Sequence, residues 1–241
     1  MGKFSGILFC SDFDGTLASG KEISEENIKA IKYFQNEGGL FTVSTGRYPS
    51  YILELKDKFV PNTHLICLNG TVICDSSQNA LYENKIGYAD AAELYGFIEK
   101  KCGGLERILV YEPDGTHENE KPNCDPYKMI AVTNTPEACL EFKKKVSERF
   151  GHKYFISRSW PTGLELINIS AGKDVCVKYL KKEVGADTLI CIGDFENDTE
   201  MIKAADIGIA VENALPCVKS VADRITKNDY GLAIAEVIYS I

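Results

Sequence analysis

The stretch Ile7–Thr16 reads ILFCSDFDGT, and it decides the fold. Its first half is mostly apolar and predicts a buried strand, which Asp12 and Asp14 follow directly. Successive strand side chains point to opposite faces, so the two carboxylates would share a face if the strand continued through them. One could then attack an electrophile while the other moves a proton, and Gly15 would leave a backbone amide free for an anion. The alternative is a solvated acidic turn, because Asp and Gly are frequent in turns.

The bulk composition describes a folded, acidic chain. It has 241 residues, of which 44% are hydrophobic, and a formal net charge of −8. That length and that apolar content suit one large domain, or a core with a smaller second domain. The negative charge argues against binding to nucleic acid or to an anionic membrane, since both need a basic face. It leaves room for an anionic substrate, because a bound divalent cation can reverse the local field.

The cysteines indicate a reducing compartment. There are nine, an odd number, with no CxxC pair and none at zinc-ligand spacing. Cys10, Cys67 and Cys191 lie within apolar strand patterns, where a free cysteine packs as a small hydrophobic residue. No signal peptide or apolar run of membrane length is visible in the sequence. A cytoplasmic location is therefore expected.

Strand and helix patterns alternate in the first third of the chain and again at its end. Apolar runs at 6–12, 40–43 and 64–68 predict buried strands, and a helix capped by Ser24 separates the first two. The same alternation returns after residue 173. It predicts an α/β fold with a Rossmann-like, doubly wound parallel sheet.

The middle of the chain breaks this alternation and predicts an inserted α+β domain. We assign residues 76–160 to the insertion, and residues 1–75 together with 161–241 to the core. Gly, Pro and Asn cluster at 113–126, which predicts a mobile loop within the insertion.

Four polar clusters follow strands or lie near helix starts in the two parallel regions. They are Asp12 with Asp14, Ser44–Arg47, Lys173, and Asp194 with Asn197 and Asp198. Because ligands of open parallel sheets bind beyond the carboxyl ends of the strands, we expect the four clusters to meet at one edge. Clustered carboxylates repel unless a cation lies between them, and oxygen ligands without Cys or His favour Mg²⁺, with Mn²⁺ as a substitute. The remaining hydroxyl, glycine amides and lysine suit a phosphoryl group.

These clusters resemble motifs I to IV of the haloacid dehalogenase superfamily in order and spacing. The matching residues are Asp12-x-Asp14-Gly15-Thr16-Leu17, Ser44-Thr45-Gly46-Arg47, Lys173 and Gly193-Asp194-x-x-Asn197-Asp198. The insertion resembles the C2B-type cap of the Cof-type, subclass IIB sugar-phosphate phosphatases, and the tail at 210–226 also resembles that subfamily. The resemblance thus implies a catalytic core with a cap domain that reads the substrate.

The resemblance implies a role for each matching residue. Asp12 would be the nucleophile, and Asp14 the general acid and base, with its backbone carbonyl on the metal. Thr45 would bind the phosphoryl group and Lys173 would neutralise it, so both are catalytic candidates. The metal ligands would be Asp12, Asp14, Asp194 and Asp198. The candidates for binding the substrate or its phosphate are Gly15, Ser44, Thr45, Gly46, Arg47, Asn69, Lys173 and Asn197.

The implied activity is Mg²⁺-dependent hydrolysis of phosphate monoesters of small metabolites, such as sugar phosphates, through an aspartyl phosphate on Asp12. A phosphomutase on the same scaffold stays open, because Asp14 would serve both reactions. A signalling or binding module that is phosphorylated on Asp12 and turns over slowly is a third hypothesis. Modules of that kind lack a large cap and a second acidic partner. We expect a small phosphorylated metabolite as the partner, no nucleic acid or membrane, and a monomer or homodimer.

Overall fold

The computed structural model describes residues 2–241, which form two compact units. Unit 1 contains the chain up to Tyr82 and from Lys173 to Ile241, and unit 2 comprises Glu83–Gly172. The core is therefore assembled from two segments that are distant in sequence, with a second unit inserted between them.

Strands and helices are distributed over both units. The strands are β1 (Ile7–Ser11), β2 (Ala18–Ser19), β3 (Glu22–Ile23), β4 (Leu40–Val43), β5 (Leu65–Cys67), β6 (Val72–Cys74), β7 (Ala80–Glu83), β8 (Leu105–Glu112), β9 (Gly115–Glu118), β10 (Lys128–Thr133), β11 (Tyr154–Trp160), β12 (Gly163–Asn168), β13 (Thr188–Gly193), β14 (Ile207–Ala210) and β15 (Arg224–Ile225). The helices are α1 (Glu25–Asn36), α2 (Pro49–Leu53), α3 (Tyr88–Lys101), α4 (Pro136–Phe150), α5 (Lys173–Glu183), α6 (Thr199–Ala204), α7 (Pro216–Lys219) and α8 (Ala233–Ser240). A 3₁₀ helix, Glu196–Asp198, directly precedes α6.

Unit 1 is built on a five-stranded parallel sheet with the strand order β15-β14-β13-β1-β4. β1 pairs in parallel with β13, where Ser11 lies opposite Ile192. On its other side β1 pairs in parallel with β4, where Ser11 lies opposite Val43. This register places the carboxyl ends of β1, β4 and β13 side by side at one edge, which is where open parallel sheets bind ligands.

Alternate side chains of β1 pack on opposite faces of this sheet. Leu8 and Cys10 lie in an apolar cluster that includes Val177 of α5. Phe9 points the other way and meets Phe34 of α1 edge to face, with ring centroids 6.0 Å apart. A strand that is apolar on both sides is typical of a parallel sheet covered by helices on both faces. The doubly wound α/β core predicted from the sequence is thereby confirmed.

The first helix begins where its sequence predicts. Ser24 Oγ accepts a hydrogen bond from the backbone N of Asn27 at 3.2 Å and so satisfies one free amide of the first turn. Glu25 and Glu26 follow in that turn, where negative charge complements the helix dipole.

Unit 2 is an antiparallel sheet with helices, in the strand order β11-β12-β10-β8-β9. Val110, Met129 and Leu166 of the sheet share an apolar cluster with Leu94 of α3 and Phe142 of α4. One face of the sheet is thus packed against two helices, an arrangement typical of α+β domains.

Unit 2 differs from the predicted insertion in two respects. The segment 113–126 contains β9, which forms a hairpin with β8 in which Glu112 pairs with Gly115. Its Pro, Asp and Gly therefore mark a tight turn as well as a loop. The insertion was placed at 76–160, whereas unit 2 comprises Glu83–Gly172, because β12 pairs with both β11 and β10 and so belongs to this sheet.

Candidate active site

Asp12 and Asp194 lie at the same edge of the parallel sheet, directly after β1 and β13. The backbone N of Asp12 donates to O of Ile192 at 2.9 Å, which continues the pairing of the two strands by one residue. Ser44 is placed beside them, because its N donates to O of Ser11 at 2.8 Å. The strand register alone therefore brings three of the predicted polar clusters together.

Lys173, the first residue of α5, connects two of the aspartates. Its Nζ donates to Oδ1 of Asp12 at 2.5 Å and to Oδ1 of Asp198 at 2.6 Å. All three side chains are buried. Removing Lys173 would leave two buried carboxylates without a counter-charge, so this ion group depends on the lysine.

Asp194 completes the acidic group. Its Oδ1 accepts a hydrogen bond from Thr16 Oγ1 at 2.8 Å. One carboxylate oxygen from each of Asp12, Asp194 and Asp198 lies within 4.8 Å of the others. The second carboxylate oxygen of Asp198, Oδ2, accepts hydrogen bonds from the backbone N of Asp194 at 3.0 Å and of Phe195 at 3.2 Å. These bonds fix the orientation of the Asp198 carboxylate.

Burial and mutual repulsion raise the pKa of two of these carboxyl groups. Burial is the largest cause for Asp12, Asp198 adds to it, and Lys173 offsets the rise only in part. The pKa of Asp194 is raised to about 7, again by burial first and then by Asp198. Burial by itself lowers the pKa of Lys173, but the two carboxylates that Lys173 binds outweigh it and the net shift is upward. These upward shifts mean that one protonated lysine does not neutralise three ionised carboxylates, so the group needs a further cation or a proton.

This excess of negative charge fits a divalent cation. With all three carboxylates ionised, one ammonium leaves a formal charge of −2, and the group offers oxygen ligands only. Such a donor set favours Mg²⁺ or Mn²⁺ over zinc. Among the predicted ligands, the carboxylate of Asp14 does not belong to this group and binds Arg47 instead. If Asp14 is a metal ligand, it would therefore bind the metal through its backbone carbonyl.

Two glycines make the close approach of the aspartates possible. A Cβ at Gly15, where φ is +86°, would lie 2.7 Å from Oδ2 of Asp194. A Cβ at Gly193 would lie 2.5 Å from Cβ of Asp198. Neither contact is sterically allowed, so a larger residue at either position would displace an aspartate. Asn213 holds the Gly15 turn in place, since its Nδ2 donates to O of Gly15 at 2.8 Å.

The other predicted residues lie in the loops around this group. Thr45 is buried and its Oγ1 accepts from the backbone N of Arg47 at 3.2 Å. Ser44 Oγ is also buried and has no hydrogen-bond partner among residues 2–241. A buried hydroxyl of this kind is expected to find a partner in a bound ligand or water. Asn197 contacts Asn69, whose Oδ1 accepts from Asn197 Nδ2 at 3.2 Å.

Thr16 and Asn213 were not assigned a role from the sequence. Thr16 stands directly after Gly15 in the DFDGT motif, and its position there was the available signal. Asn213 is separated from Gly15 by 198 positions, and no local pattern connects the two.

Unit 2 contains polar groups of its own. Lys128 Nζ donates to Oε2 of Glu165 at 3.0 Å, and both side chains are buried. Glu112, Asp114 and His117 form a second set of metal-compatible atoms in the β8–β9 hairpin. His117 Nε2 lies 2.9 Å from Oδ1 of Asp114 and 3.5 Å from Oε2 of Glu112, so an imidazolium would neutralise these acids without a metal.

Comparison with known protein families gives a match over most of the chain. A model of haloacid dehalogenase-like hydrolases matches residues 9–121 and 110–238. Among curated proteins, the chain is 29% identical to 5-amino-6-(5-phospho-D-ribitylamino)uracil phosphatase YcsE of Bacillus subtilis strain 168, over 96% of this chain and 94% of that protein.

Solved structures share the fold. A haloacid dehalogenase-like hydrolase from B. subtilis superposes with a TM-score of 0.85 at 21% identity, covering 97% of this chain and 99% of that one. A haloacid dehalogenase subclass IIB sugar phosphatase superposes with a TM-score of 0.80 at 22% identity, covering 97% and 98%. Within residues 2–241, no helix combines the length and the apolar character that crossing a membrane requires.

Proposed function

This chain belongs to the haloacid dehalogenase-like hydrolase family, and we propose that it hydrolyses phosphate monoesters of small metabolites through a phosphoryl group carried by Asp12. The observation that carries the proposal is the buried contact of Asp12 with Lys173, which also binds Asp198. This contact leaves a carboxylate oriented by a fixed cation within an acidic group that suits a divalent metal.

The first step transfers the phosphoryl group to Asp12. A carboxylate oxygen of Asp12 attacks phosphorus, and the bond between phosphorus and the ester oxygen breaks. Asp14 donates its proton to the departing oxygen, so the leaving group departs as a neutral alcohol. Lys173 is held 2.5 Å from Asp12, where it keeps the nucleophile oriented and offsets charge on the transferred group.

The second step returns Asp12 to its free form. Asp14, now ionised, takes a proton from a water molecule whose oxygen attacks phosphorus. The bond between phosphorus and the Asp12 oxygen breaks, and inorganic phosphate leaves. The same carboxyl group thus acts first as an acid and then as a base, and the protons balance over the cycle.

Asp12, Asp194 and Asp198 would hold the divalent cation, with the backbone carbonyl of Asp14 as a further ligand. When bound, Mg²⁺ would offset the negative charge that the phosphate brings to an already acidic site. The unpartnered hydroxyl of Ser44, together with Thr45, supports binding of the phosphoryl oxygens at this edge.

The substrate class is proposed from the relatives. The YcsE protein is named for a phosphorylated ribityl compound, and one structural relative is described as a sugar phosphatase. Both descriptions support a small phosphorylated polyol or sugar as the substrate of this chain.

The test is phosphate release from a panel of phosphate monoesters, with and without Mg²⁺, by wild type and by Asp12→Asn. We expect Mg²⁺-dependent release by wild type and a loss of at least about 10³-fold in Asp12→Asn, since an amide cannot act as the nucleophile. Acid quenching of wild type with ³²P-labelled substrate should trap label on the protein, and Asp12→Asn should trap none. Asp57→Asn, at an exposed position, is the matched control and should behave as wild type. Full activity in Asp12→Asn would refute the assignment.

The phosphomutase considered from the sequence gains no support from these relatives, whose names describe hydrolases and phosphatases. If the chain were instead a slow phospho-aspartate module, Asp12 would be labelled stoichiometrically and little phosphate would be released. The same quench experiment separates it from a phosphatase, which releases many phosphates per site.

A further inference from the structure

The segment that follows β5 has an unusual backbone. Leu68, Asn69 and Gly70 have φ angles of +51°, +57° and +88°, so three consecutive residues are left-handed. Only glycine adopts this conformation without penalty, Asn tolerates it, and Leu is a clear exception. Leu68 and Asn69 are also buried. A strained, buried segment persists only where its surroundings hold it, and such segments concentrate at functional sites.

The loop after β4 holds this segment through the backbone. The N of Leu68 donates to O of Arg47 at 3.1 Å, and the N of Asn69 donates to O of Thr45 at 2.8 Å. The left-handed turn therefore docks two of its amides on the Thr45–Arg47 stretch, which carries the proposed phosphate-binding hydroxyl.

The side chain of Asn69 continues this connection to a second loop. A Cβ on Gly46 would lie 3.3 Å from Nδ2 of Asn69, so the amide packs directly on the Gly46 backbone. Its Oδ1 accepts from Nδ2 of Asn197 at 3.2 Å, in the 3₁₀ helix that follows β13. Asn69 thus joins the loop after β4 to this 3₁₀ helix, although it belongs to neither.

We propose that Asn69 is a positioning residue for the phosphoryl-transfer site, an inference that rests on the proposed function. The side-chain carbonyl of Asn69 accepts one N–H of the Asn197 amide and so restrains rotation of that amide. The other N–H of Asn197 is then oriented towards a phosphoryl oxygen. The backbone N of Asn69 also donates to O of Thr45, a bond that does not depend on the side chain. Asn69 itself does not touch the reacting atoms, and the strain of the left-handed segment is the cost of placing it there.

The first test is Asn69→Gly, which removes the amide and keeps a residue that prefers the left-handed conformation. We expect kcat for p-nitrophenyl phosphate at saturating Mg²⁺ to fall about tenfold, because misplaced binding groups raise the barrier, with Tm unchanged. Asn119→Gly is the matched control: Asn119 has φ +57° and its Oδ1 accepts from the N of Ile108 at 2.9 Å. The control should keep wild-type kcat.

The second test separates positioning from general structural support. If Asn69 acts through Asn197, the double variant Asn69→Gly/Asn197→Ala should have the kcat of Asn197→Ala alone. Independent losses that multiply in the double variant would overturn the proposal. So would a kcat of Asn69→Gly within about twofold of wild type, given the tenfold loss expected from misplacement.

The third test uses Asn69→Asp, which tolerates the left-handed backbone and keeps an acceptor for Asn197. We expect a raised KM, from the added negative charge, with kcat close to that of wild type. A kcat as low as that of Asn69→Gly would mean that the Asn69 N–H group contacts the phosphoryl group directly, and the proposal would be wrong. A wild-type chain that hydrolyses no phosphate monoester would overturn the proposed function itself. An active wild type with an unaffected Asn69→Gly would overturn this inference only.

Discussion

Arg47 donates two parallel hydrogen bonds to Asp14, from Nε to Oδ2 and from Nη2 to Oδ1, each 2.9 Å long. This two-point geometry fixes the plane of the carboxylate as well as its position. The guanidinium also packs over the ring of Tyr51, with Cζ 4.6 Å from the ring centroid. The proposed acid and base of the reaction is therefore oriented by an arginine from the loop after β4.

Replacing Arg47 should slow the reaction by releasing Asp14. For Arg47→Met we expect kcat to fall about tenfold, a smaller loss than the roughly 10²–10⁴-fold expected when a general acid is removed. Steady-state kinetics with an alkyl phosphate measures it, and the exposed Arg224→Met serves as the control. An increase of kcat in Arg47→Met would show instead that the ion pair restrains proton transfer.

Asp14→Asn should affect the two half-reactions differently when the leaving group is good. With p-nitrophenyl phosphate the departing phenolate needs little protonation, so the first step should survive. The second step lacks its base and should become rate-limiting. Stopped-flow measurements should then show a burst of about one nitrophenolate per site, followed by slow turnover, as expected for a covalent intermediate. A slow reaction without a burst would remove Asp14 from the second step.

Gly15→Ala should impair the site by steric displacement of Asp194. Its Cβ would lie 2.7 Å from Oδ2 of Asp194, whereas a Cβ on Gly20 meets nothing within 4 Å. Both glycines have positive φ, so both substitutions carry a similar conformational cost of about 1–2 kcal/mol. We expect activity to fall at least about tenfold in Gly15→Ala and to stay near wild type in Gly20→Ala, because only the former moves an aspartate. Similar activities in the two variants would refute the argument.

Without metal, the contribution of Asp194 to the stability of the protein should fall as pH rises from about 4 to about 7. The pKa of Asp194 is raised from 3.8 to about 7, so over this range the folded state binds a proton that the unfolded state has lost. This contribution is complete below the unfolded pKa and disappears as pH rises through the folded pKa. Mg²⁺ should therefore raise Tm more at pH 8 than at pH 5, as measured by calorimetry with EDTA as the reference. Asp194→Asn should flatten the pH dependence.

The sequence was most informative where local physics sets the structure. The apolar run before Asp12 forms β1, and Ser24 caps α1, because burial and capping act within a few residues. The Asp14-Gly15 pair predicted the turn at Gly15 in the same local way. The Asp12–Lys173 contact could be anticipated only because both residues match ordered motifs of one family.

Relations set by tertiary contacts could not be predicted. The bond from Asn213 to O of Gly15 depends on where a distant loop returns, and no periodic pattern encodes that. The boundary of unit 2 could likewise not be predicted from the sequence. The hairpin of β11 and β12 keeps residues up to Asn168 in the unit 2 sheet, although the insertion was predicted to end at residue 160. A turn signal shows that the chain reverses and leaves open which sheet it rejoins.

Breaking the buried pair of Lys128 and Glu165 should destabilise unit 2, because it leaves one charge unpaired. Lys128→Met would leave the Glu165 carboxylate without its ammonium partner at 3.0 Å, at a cost of about 3–5 kcal/mol. The double variant Lys128→Met/Glu165→Gln should recover most of that loss, since it removes both charges. Lys153→Met is the control, because its pair with Asp90 is partly open to solvent and solvent-exposed pairs contribute about 0–1 kcal/mol. Urea titration of the three variants measures the differences. Equal costs for Lys128→Met and Lys153→Met would show that the buried pair is not the stronger one.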